Sequence, residues 1–188
     1  MASTSTGFTR ARGLNVVKTL AGHEPYFYSM PDGERIEPEW GPAISYFPDG
    51  QKMISGYHDK TVRLWDLQAG KEIEEARVVC EQEVMQVAVS RDSRWVIAAC
   101  WKGKLKVCEV GTGVVKTFDG HSSASLITSI DISRDSKLLV SGSSDGSMRI
   151  WDLKIGNLVA SNVTSTQPLH IGAKGSSTSH VHQIVDML

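Results

Sequence analysis

Apolar and polar residues alternate through most of this chain, and the alternation returns at a fixed interval of 43 residues. Val62 and Leu64 show it in one place, and Ile130 and Ile132 show it in another. Apolar positions two residues apart, bounded by turn residues, predict short half-buried strands. No helical period competes with this pattern over most of the chain, so the sequence predicts an all-β fold.

The alternation belongs to an internal repeat. Three apolar columns align without a gap at the 43-residue interval, namely Ile44, Val87 and Ile130; Val62, Leu105 and Met148; and Leu64, Val107 and Ile150. Each unit also ends on a matching dipeptide, which is Trp65-Asp66, Cys108-Glu109 or Trp151-Asp152. A fixed period in the forties indicates units that each bury an apolar face against the next unit.

The repeat register divides the chain into three regions. Residues 1–13 are polar and predict a disordered N-terminus, whereas residues 14–163 carry the repeats. Residues 164–188 predict a tail rich in Ser, Thr and Gly, with a short helix near its end. The strand-forming parts of the repeat region are expected near 14–20, 44–76, 84–119 and 127–161.

The segment 24–42 interrupts the register. It is either a loop insertion or the start of a unit whose remainder has been deleted. Its Pro31-Asp32-Gly33 repeats the turn at Pro48-Asp49-Gly50, which slightly favours the deletion.

Composition narrows the classes of function. With 20 basic and 21 acidic residues, the chain has a net charge of −1 and no charge pattern typical of binding to nucleic acid or an anionic membrane. No apolar run approaches the roughly 18 to 20 residues that span a bilayer. Three cysteines are too few for a disulfide framework, and their odd number suits a reducing compartment. We therefore expect a cytoplasmic protein, with the nucleus as the alternative.

These motifs resemble the WD40 repeat family, and their amino-acid sequences are most similar to the WD40 arrays abundant in fungi. The resemblance covers about residues 14–161. It rests on Gly-His before strand a of a unit, Ser-Gly in strand b, Asp in the b–c turn and Trp-Asp at the end of strand c. It implies a β-propeller of four-stranded blades. Here it implies about three full blades plus an N-terminal strand, which is an incomplete propeller.

The resemblance also implies a hydrogen-bonded tetrad of Trp, Ser, His and Asp within a blade. The third unit supplies all four as His121, Ser141, Asp145 and Trp151. The first unit supplies Ser55, Asp59 and Trp65, with His23 as the fourth member if residues 24–42 fold away. The corresponding positions of the second unit hold Cys80, Ala98, Lys102 and Cys108. Loss of all four tetrad members together is physically reasonable, since a half-made buried hydrogen-bond network costs more free energy than an apolar contact.

A Ser–His–Asp set also invites interpretation as a catalytic triad. We expect no catalytic residue, because Ser141 and its repeat mate Ser55 lie within alternating strands, whereas a nucleophilic serine needs a cleft and an oxyanion hole. No CxxC or HxxxH spacing supports a metal site, and we expect no cofactor. A role as a ubiquitin-ligase receptor is less favoured, because Gln68 and Lys154 stand where such receptors carry Arg.

The resemblance places partner contacts at the b–c turns. We therefore expect other proteins or peptides to bind at Tyr57, His58, Trp101 and Lys102. Trp101 has two interpretations of equal weight. It either anchors a partner, as exposed aromatic residues often do, or folds back over the blade that lacks a tetrad.

Three blades are fewer than the four of the smallest usual propellers. The chain therefore forms an open arc, completes a ring by self-association or with another chain, or is a truncated or degenerate array without independent function. Bare end faces expose apolar surface and strand edges. We expect that the chain alone is not a stable monomer.

Overall fold

The computed structural model describes residues 20, 22–23, 28–29, 35–36, 41–73, 77–78 and 80–161. The expected tails at 1–13 and 164–188 lie outside these residues, as do most of the expected strand at 14–20 and most of the insert at 24–42. Every regular element in the described part of the chain is a β-strand, which confirms the all-β fold class.

The strands follow one another in short, evenly spaced steps. Two brief strands, β1 (Tyr28–Ser29) and β2 (Arg35–Ile36), pair with each other. The remaining strands are β3 (Ala43–Tyr46), β4 (Lys52–Gly56), β5 (Thr61–Asp66), β6 (Lys71–Glu72), β7 (Arg77–Val78), β8 (Val84–Val89), β9 (Trp95–Cys100), β10 (Lys104–Glu109), β11 (Val115–Asp119), β12 (Ile127–Ile132), β13 (Leu138–Ser143), β14 (Met148–Asp152) and β15 (Leu158–Ser161).

Strands β3 to β15 form three antiparallel sheets, each with four positions, in which successive strands of the chain are neighbours except at the divided outer strand of the first sheet. The middle sheet is β8-β9-β10-β11 and the third is β12-β13-β14-β15. The first sheet is β3-β4-β5 with a divided outer strand, because β6 and β7 pair with opposite ends of β5. The architecture is that of propeller blades, and the three sheets do not close into a ring.

The four strands of each sheet are lettered a to d in chain order, so that β8, β9, β10 and β11 are strands a, b, c and d of the middle sheet. The turn between strands a and b is built in the same way in all three sheets. The carboxylates of Asp49, Asp92 and Asp135 accept the backbone N–H two residues later, at 2.8, 3.0 and 3.1 Å. An aspartate that bonds to its own backbone two residues on closes a turn. This bond explains why an Asp recurs at each 43-residue step.

The core lies between the sheets. One cluster fills the space between the middle and third sheets and contains the fully buried residues Ile97, Leu105, Val107, Leu139 and Leu153. A second cluster, with Phe47, Ile54, Val84 and Val87, joins the first sheet to the middle one. Each sheet is therefore held chiefly by burial against its neighbour, as the repeat pattern predicts.

The outer faces of the two end sheets differ in exposure. On the first sheet, Ile44 and Tyr46 of β3 are 51% and 58% exposed. On the third sheet, Val140 and Ile150 are only 0% and 7% exposed. The exposed apolar side chains of the first sheet are those that a preceding blade would cover.

Candidate functional site

The third sheet contains a buried polar chain that links three of its elements. The indole N–H of Trp151 donates to the Ser141 hydroxyl at 2.9 Å, and that hydroxyl lies 2.7 Å from Nε2 of His121. Nδ1 of His121 lies 3.0 Å from the Ser147 hydroxyl and 3.5 Å from the Asp145 carboxylate. The four residues named from the sequence thus meet, with Ser147 as an additional link.

The first sheet repeats the arrangement. The Trp65 indole donates to the Ser55 hydroxyl at 2.8 Å, and the hydroxyl lies 2.6 Å from Nε2 of His23. Nδ1 of His23 lies 3.0 Å from the Asp59 carboxylate, which also accepts the Thr61 hydroxyl at 2.6 Å. His23 therefore reaches its place, although many residues separate it from β3.

The protonation of these groups follows from their surroundings. Burial lowers the pKa of His121, while the Asp145 carboxylate opposes the shift. Burial alone would raise the pKa of Asp145, but hydrogen bonds from the Ser147 hydroxyl and backbone N–H, and from the Ser122 N–H, hold it well below its usual range. A neutral imidazole protonated at Nδ1 satisfies the chain, since it donates to oxygen there and accepts from Ser141 at Nε2.

The middle sheet has a different link at the same place. Cys80, just before β8, forms a disulfide with Cys100 at the end of β9, and their Cα atoms are 6.0 Å apart. In the other sheets a histidine that precedes strand a in the chain bonds to a serine in strand b. The covalent bond joins the same two elements of the blade, so a disulfide replaces a hydrogen bond.

This disulfide differs from the expectation drawn from cysteine count. The sequence predicts cysteines that suit a reducing compartment, with Cys80 and Cys108 as replacements for tetrad members. Cys100 occupies the repeat position of Tyr57 and Ser143, outside the tetrad columns, so the sequence register gave no reason to pair it with Cys80.

The b–c turn of the middle sheet also has its own conformation. In the first and third turns, Asp59 and Asp145 accept the backbone N–H of the residue two positions later, at 3.0 and 2.8 Å. Lys102 cannot accept such a bond. Its φ is 66° and that of the following Gly103 is 70°, so two successive residues are left-handed.

The four residues expected to contact partners are not equally accessible. Lys102 is exposed, and Trp101 and Tyr57 are half-buried. His58 is only 3% exposed, and its ring packs edge-on to that of Tyr57 with centroids 5.5 Å apart. Burial lowers the pKa of His58, against the charges of Glu83 and Asp59. His58 therefore lies beneath the turn surface rather than on it.

A surface pocket of about 210 Å³ opens beside Trp101. Its walls include the Cys80–Cys100 disulfide, Lys102, Lys104 and Lys106. Register pairing places Lys106 opposite Ala98, which replaces the tetrad serine. The pocket therefore lies where the other two sheets hold their polar chain.

Some members of this site were missed in the sequence. Thr61 and Ser147 lie two residues after the b–c aspartates and share their hydrogen bonds, and this spacing was a usable signal. Lys104 and Lys106 stand in the same columns as Thr61 and Arg63, but only the fold shows that they face a pocket.

The described residues contain neither a metal-binding cluster nor a membrane-spanning helix. No group of three or more His, Cys, Asp or Glu side chains in that part of the chain is placed to hold a metal ion. No helix found there is long and apolar enough to cross a membrane.

Three four-stranded antiparallel sheets, a 43-residue register and the Trp–Ser–His–Asp chain define a WD40 blade array. The model of the family described as WD domain, G-beta repeat matches residues 42–66, 77–109 and 113–152, about half of the chain, and the chain belongs to this family.

Curated relatives carry the same repeats. Protein groucho of Drosophila melanogaster is 28% identical over 153 residues, which cover 74% of this chain and 20% of the relative. Transducin-like enhancer protein 2 of Mus musculus is 30% identical over 149 residues, covering 74% and 19%. Pre-mRNA-processing factor 17 of Saccharomyces cerevisiae is 29% identical over 121 residues, covering 62% and 27%. The chain thus spans about a fifth to a quarter of the length of these relatives.

Proposed function

We propose that this chain is a non-enzymatic scaffold that binds other proteins or peptides at the b–c turns of its blades. Membership in the WD40 family is the observation that carries the proposal. We place the contact surface at Tyr57, Trp101 and Lys102, with His58 as support beneath it. Trp101 is the central residue, because tryptophan contributes strongly to binding where it is partly exposed beside a pocket.

The buried polar chains support a structural role rather than a catalytic one. Ser141 is fully buried and Ser55 is 3% exposed, and each hydroxyl is engaged by both an indole and an imidazole. A nucleophilic serine must be reached by its substrate. These residues hold the blade together, and we propose no catalytic residue, cofactor or metal.

The proposal is tested by comparing two variants in a protein-capture experiment. Trp101→Ala removes the central aromatic side chain, whereas Ile155→Ala removes an apolar side chain that is 71% exposed in a c–d turn at the opposite end of the blades. We expect Trp101→Ala to lose the proteins captured from a cell extract by the wild-type chain, and Ile155→Ala to retain them.

Melting curves measured on the same samples separate the two interpretations of Trp101. A lower melting temperature with unchanged capture means that Trp101 folds back to fill the blade. Loss of capture in Ile155→Ala but not in Trp101→Ala would place the surface at the other end and contradict the proposal.

We further propose that the chain self-associates to complete a ring. The exposed apolar side chains of Ile44 and Tyr46 on the outer face of the first sheet favour such contacts. Light scattering at several concentrations tests this proposal. We expect a mass above that of one chain which rises with concentration, and a constant single-chain mass would contradict it.

We also propose that the chain acts in the cytoplasm, with the nucleus as the alternative, because three cysteines are too few for a disulfide framework. Imaging of the tagged chain tests this proposal. A cytoplasmic or nuclear signal is the expected result, and a signal confined to the secretory compartments would contradict it.

A further inference from the structure

We propose that the pocket beside Trp101 binds an acidic side chain of a peptide or protein partner. The inference rests on the proposed function, because it names the chemistry that the partner must present. The pocket lies in the middle blade, where the tetrad is absent.

This pocket is more positively charged than the matching places in the other blades. The three repeat positions that line the pocket hold Asp59, Thr61 and Arg63 in the first blade and Asp145, Ser147 and Arg149 in the third. The middle blade holds Lys102, Lys104 and Lys106 at these positions. An acid, a hydroxyl and a base have thus become three bases, and the local charge rises from about neutral to strongly positive.

The strand geometry brings these charges to one wall. Alternate residues of a strand share a face, so Lys104 and Lys106 project to the same side of β10, and Lys102 lies in the adjoining turn. Lys106 donates to the Thr117 hydroxyl at 2.6 Å. Lys102 and Lys104 form no ion pair with any residue that the structure describes.

One carboxylate opposes the lysines. Glu81 also lines the pocket, but a single acid leaves an excess of positive charge. Like charges held close together repel, and an incoming anion relieves that repulsion. A lysine ammonium is a compact point charge, which suits one oxygen of a carboxylate.

The size of the pocket suits a side chain rather than a drug-sized molecule. Sites for drug-sized molecules usually occupy about 300 to 1,000 Å³. A pocket of about 210 Å³ accepts one or two side chains. Trp101 at its rim offers an apolar contact beside the charges, so an acidic residue next to an apolar one is the segment that fits.

The test uses a fluorescein-labelled octapeptide of alternating Glu and Leu, with a Gln-and-Leu peptide as the uncharged control. Fluorescence anisotropy measures the affinity of each peptide for the wild-type chain. We expect the Glu peptide to bind about tenfold more tightly than the Gln peptide, and less tightly as salt rises. Equal affinity for the two peptides would overturn the inference.

Charge variants locate the binding site. The double variant Lys102→Glu with Lys104→Glu should reduce affinity for the Glu peptide to about that for the Gln peptide. Lys154→Glu makes the same kind of change at an exposed position in a c–d turn and should leave affinity within about twofold. Equal losses in both would show non-specific attraction and contradict the inference. The single variant Lys104→Gln, which removes one charge without adding an acid, should give an intermediate loss.

Two further arms complete the experiment. A phosphoserine-and-Leu peptide that binds more than about tenfold tighter than the Glu peptide would overturn the choice of a carboxylate. Protein capture that depends on Trp101 but is unchanged by the lysine double variant would also overturn this inference, and it would leave the proposed function intact. Capture that is independent of Trp101, with the peptide preference retained, would instead contradict the proposed function.

Discussion

At the scale of single residues, the first and third blades each contain a serine hydroxyl that bonds to two partners. Ser141 accepts from Trp151 and bonds to His121, and all three groups are buried. A buried polar group that loses its partner pays its desolvation cost in full. The strength of this arrangement therefore depends on its completeness rather than on any single bond.

Ser141→Ala is expected to lower the free energy of unfolding by about 1 to 3 kcal/mol, because it leaves the Trp151 N–H and His121 Nε2 without their partner. Ser129→Ala is the matched control. The Ser129 hydroxyl is buried in the same sheet and has no hydrogen-bond partner among the described residues, so its removal should be neutral or stabilising. Urea unfolding of both variants measures the difference, and equal destabilisation would refute a special role for Ser141.

The buried histidines make stability depend on pH. Burial lowers the pKa of His121 and of His58, so both take up protons at a lower pH in the folded chain than in the unfolded chain. The unfolded state then binds more protons, and stability falls as pH decreases from about 7.5 to 5.5. Urea unfolding at the two pH values should show this fall, and His121→Gln should reduce it. A stability that is unchanged or higher at the lower pH would contradict the assignment.

Individual residues also show where sequence reasoning succeeds and where it stops. The resemblance to the WD40 family identified His121, Ser141, Asp145 and Trp151 as a group, and the register placed the last three in the columns of Ser55, Asp59 and Trp65. It could not pair Cys80 with Cys100, because their contact depends on how the loop before β8 folds rather than on any column. The sequence pointed to Trp101 and Lys102, but it did not show that these residues share a pocket with Lys104.

At the scale of the strands and turns, the repeat sets the backbone conformation that each position must adopt. Lys60 has a φ of 67°, whereas its repeat mates Gly103 and Gly146 have values of 70° and 79°. Glycine adopts this left-handed region without steric cost, and other residues do not. The lysine therefore holds a conformation that the other two blades assign to glycine.

Lys60→Gly is accordingly expected to raise the stability of the chain by about 1 kcal/mol. Thermal unfolding, with the variant Lys71→Gly in a short edge strand as the comparison, measures the effect. Lys71 has no positive φ, so its replacement should be neutral or destabilising. A lower melting temperature for Lys60→Gly would contradict the proposed strain.

Contact between the first and middle blades depends on a close approach at Gly56. A Cβ atom there would lie 2.5 Å from a methyl group of Val84 and 2.7 Å from one of Val87. Gly56→Ala should therefore destabilise the chain by about 1 to 3 kcal/mol through overpacking. Gly41→Ala, where a Cβ atom meets nothing within 4 Å, should be nearly neutral. Equal melting temperatures for the two variants would show that the blades separate easily at this contact.

At the scale of the whole molecule, three blades form one continuous array with cores between neighbours and an exposed apolar face on the first sheet. The fold class, the family and the number of blades were all predictable, because a 43-residue period records every strand and turn. The exposure of the two end faces was not predictable, since it depends on what lies against them. The outer strand of the first blade, divided into β6 and β7, also has no counterpart in the other two blades.

The central claim is that the b–c turns form the surface that binds partners. Amide hydrogen exchange, measured on the chain with and without the protein that it captures most strongly, tests this claim directly. We predict slower exchange at residues 57–60 and 101–103 in the complex, with no change at the c–d turn 110–113. Slower exchange confined to 110–113, or absent from 101–103, would contradict the claim.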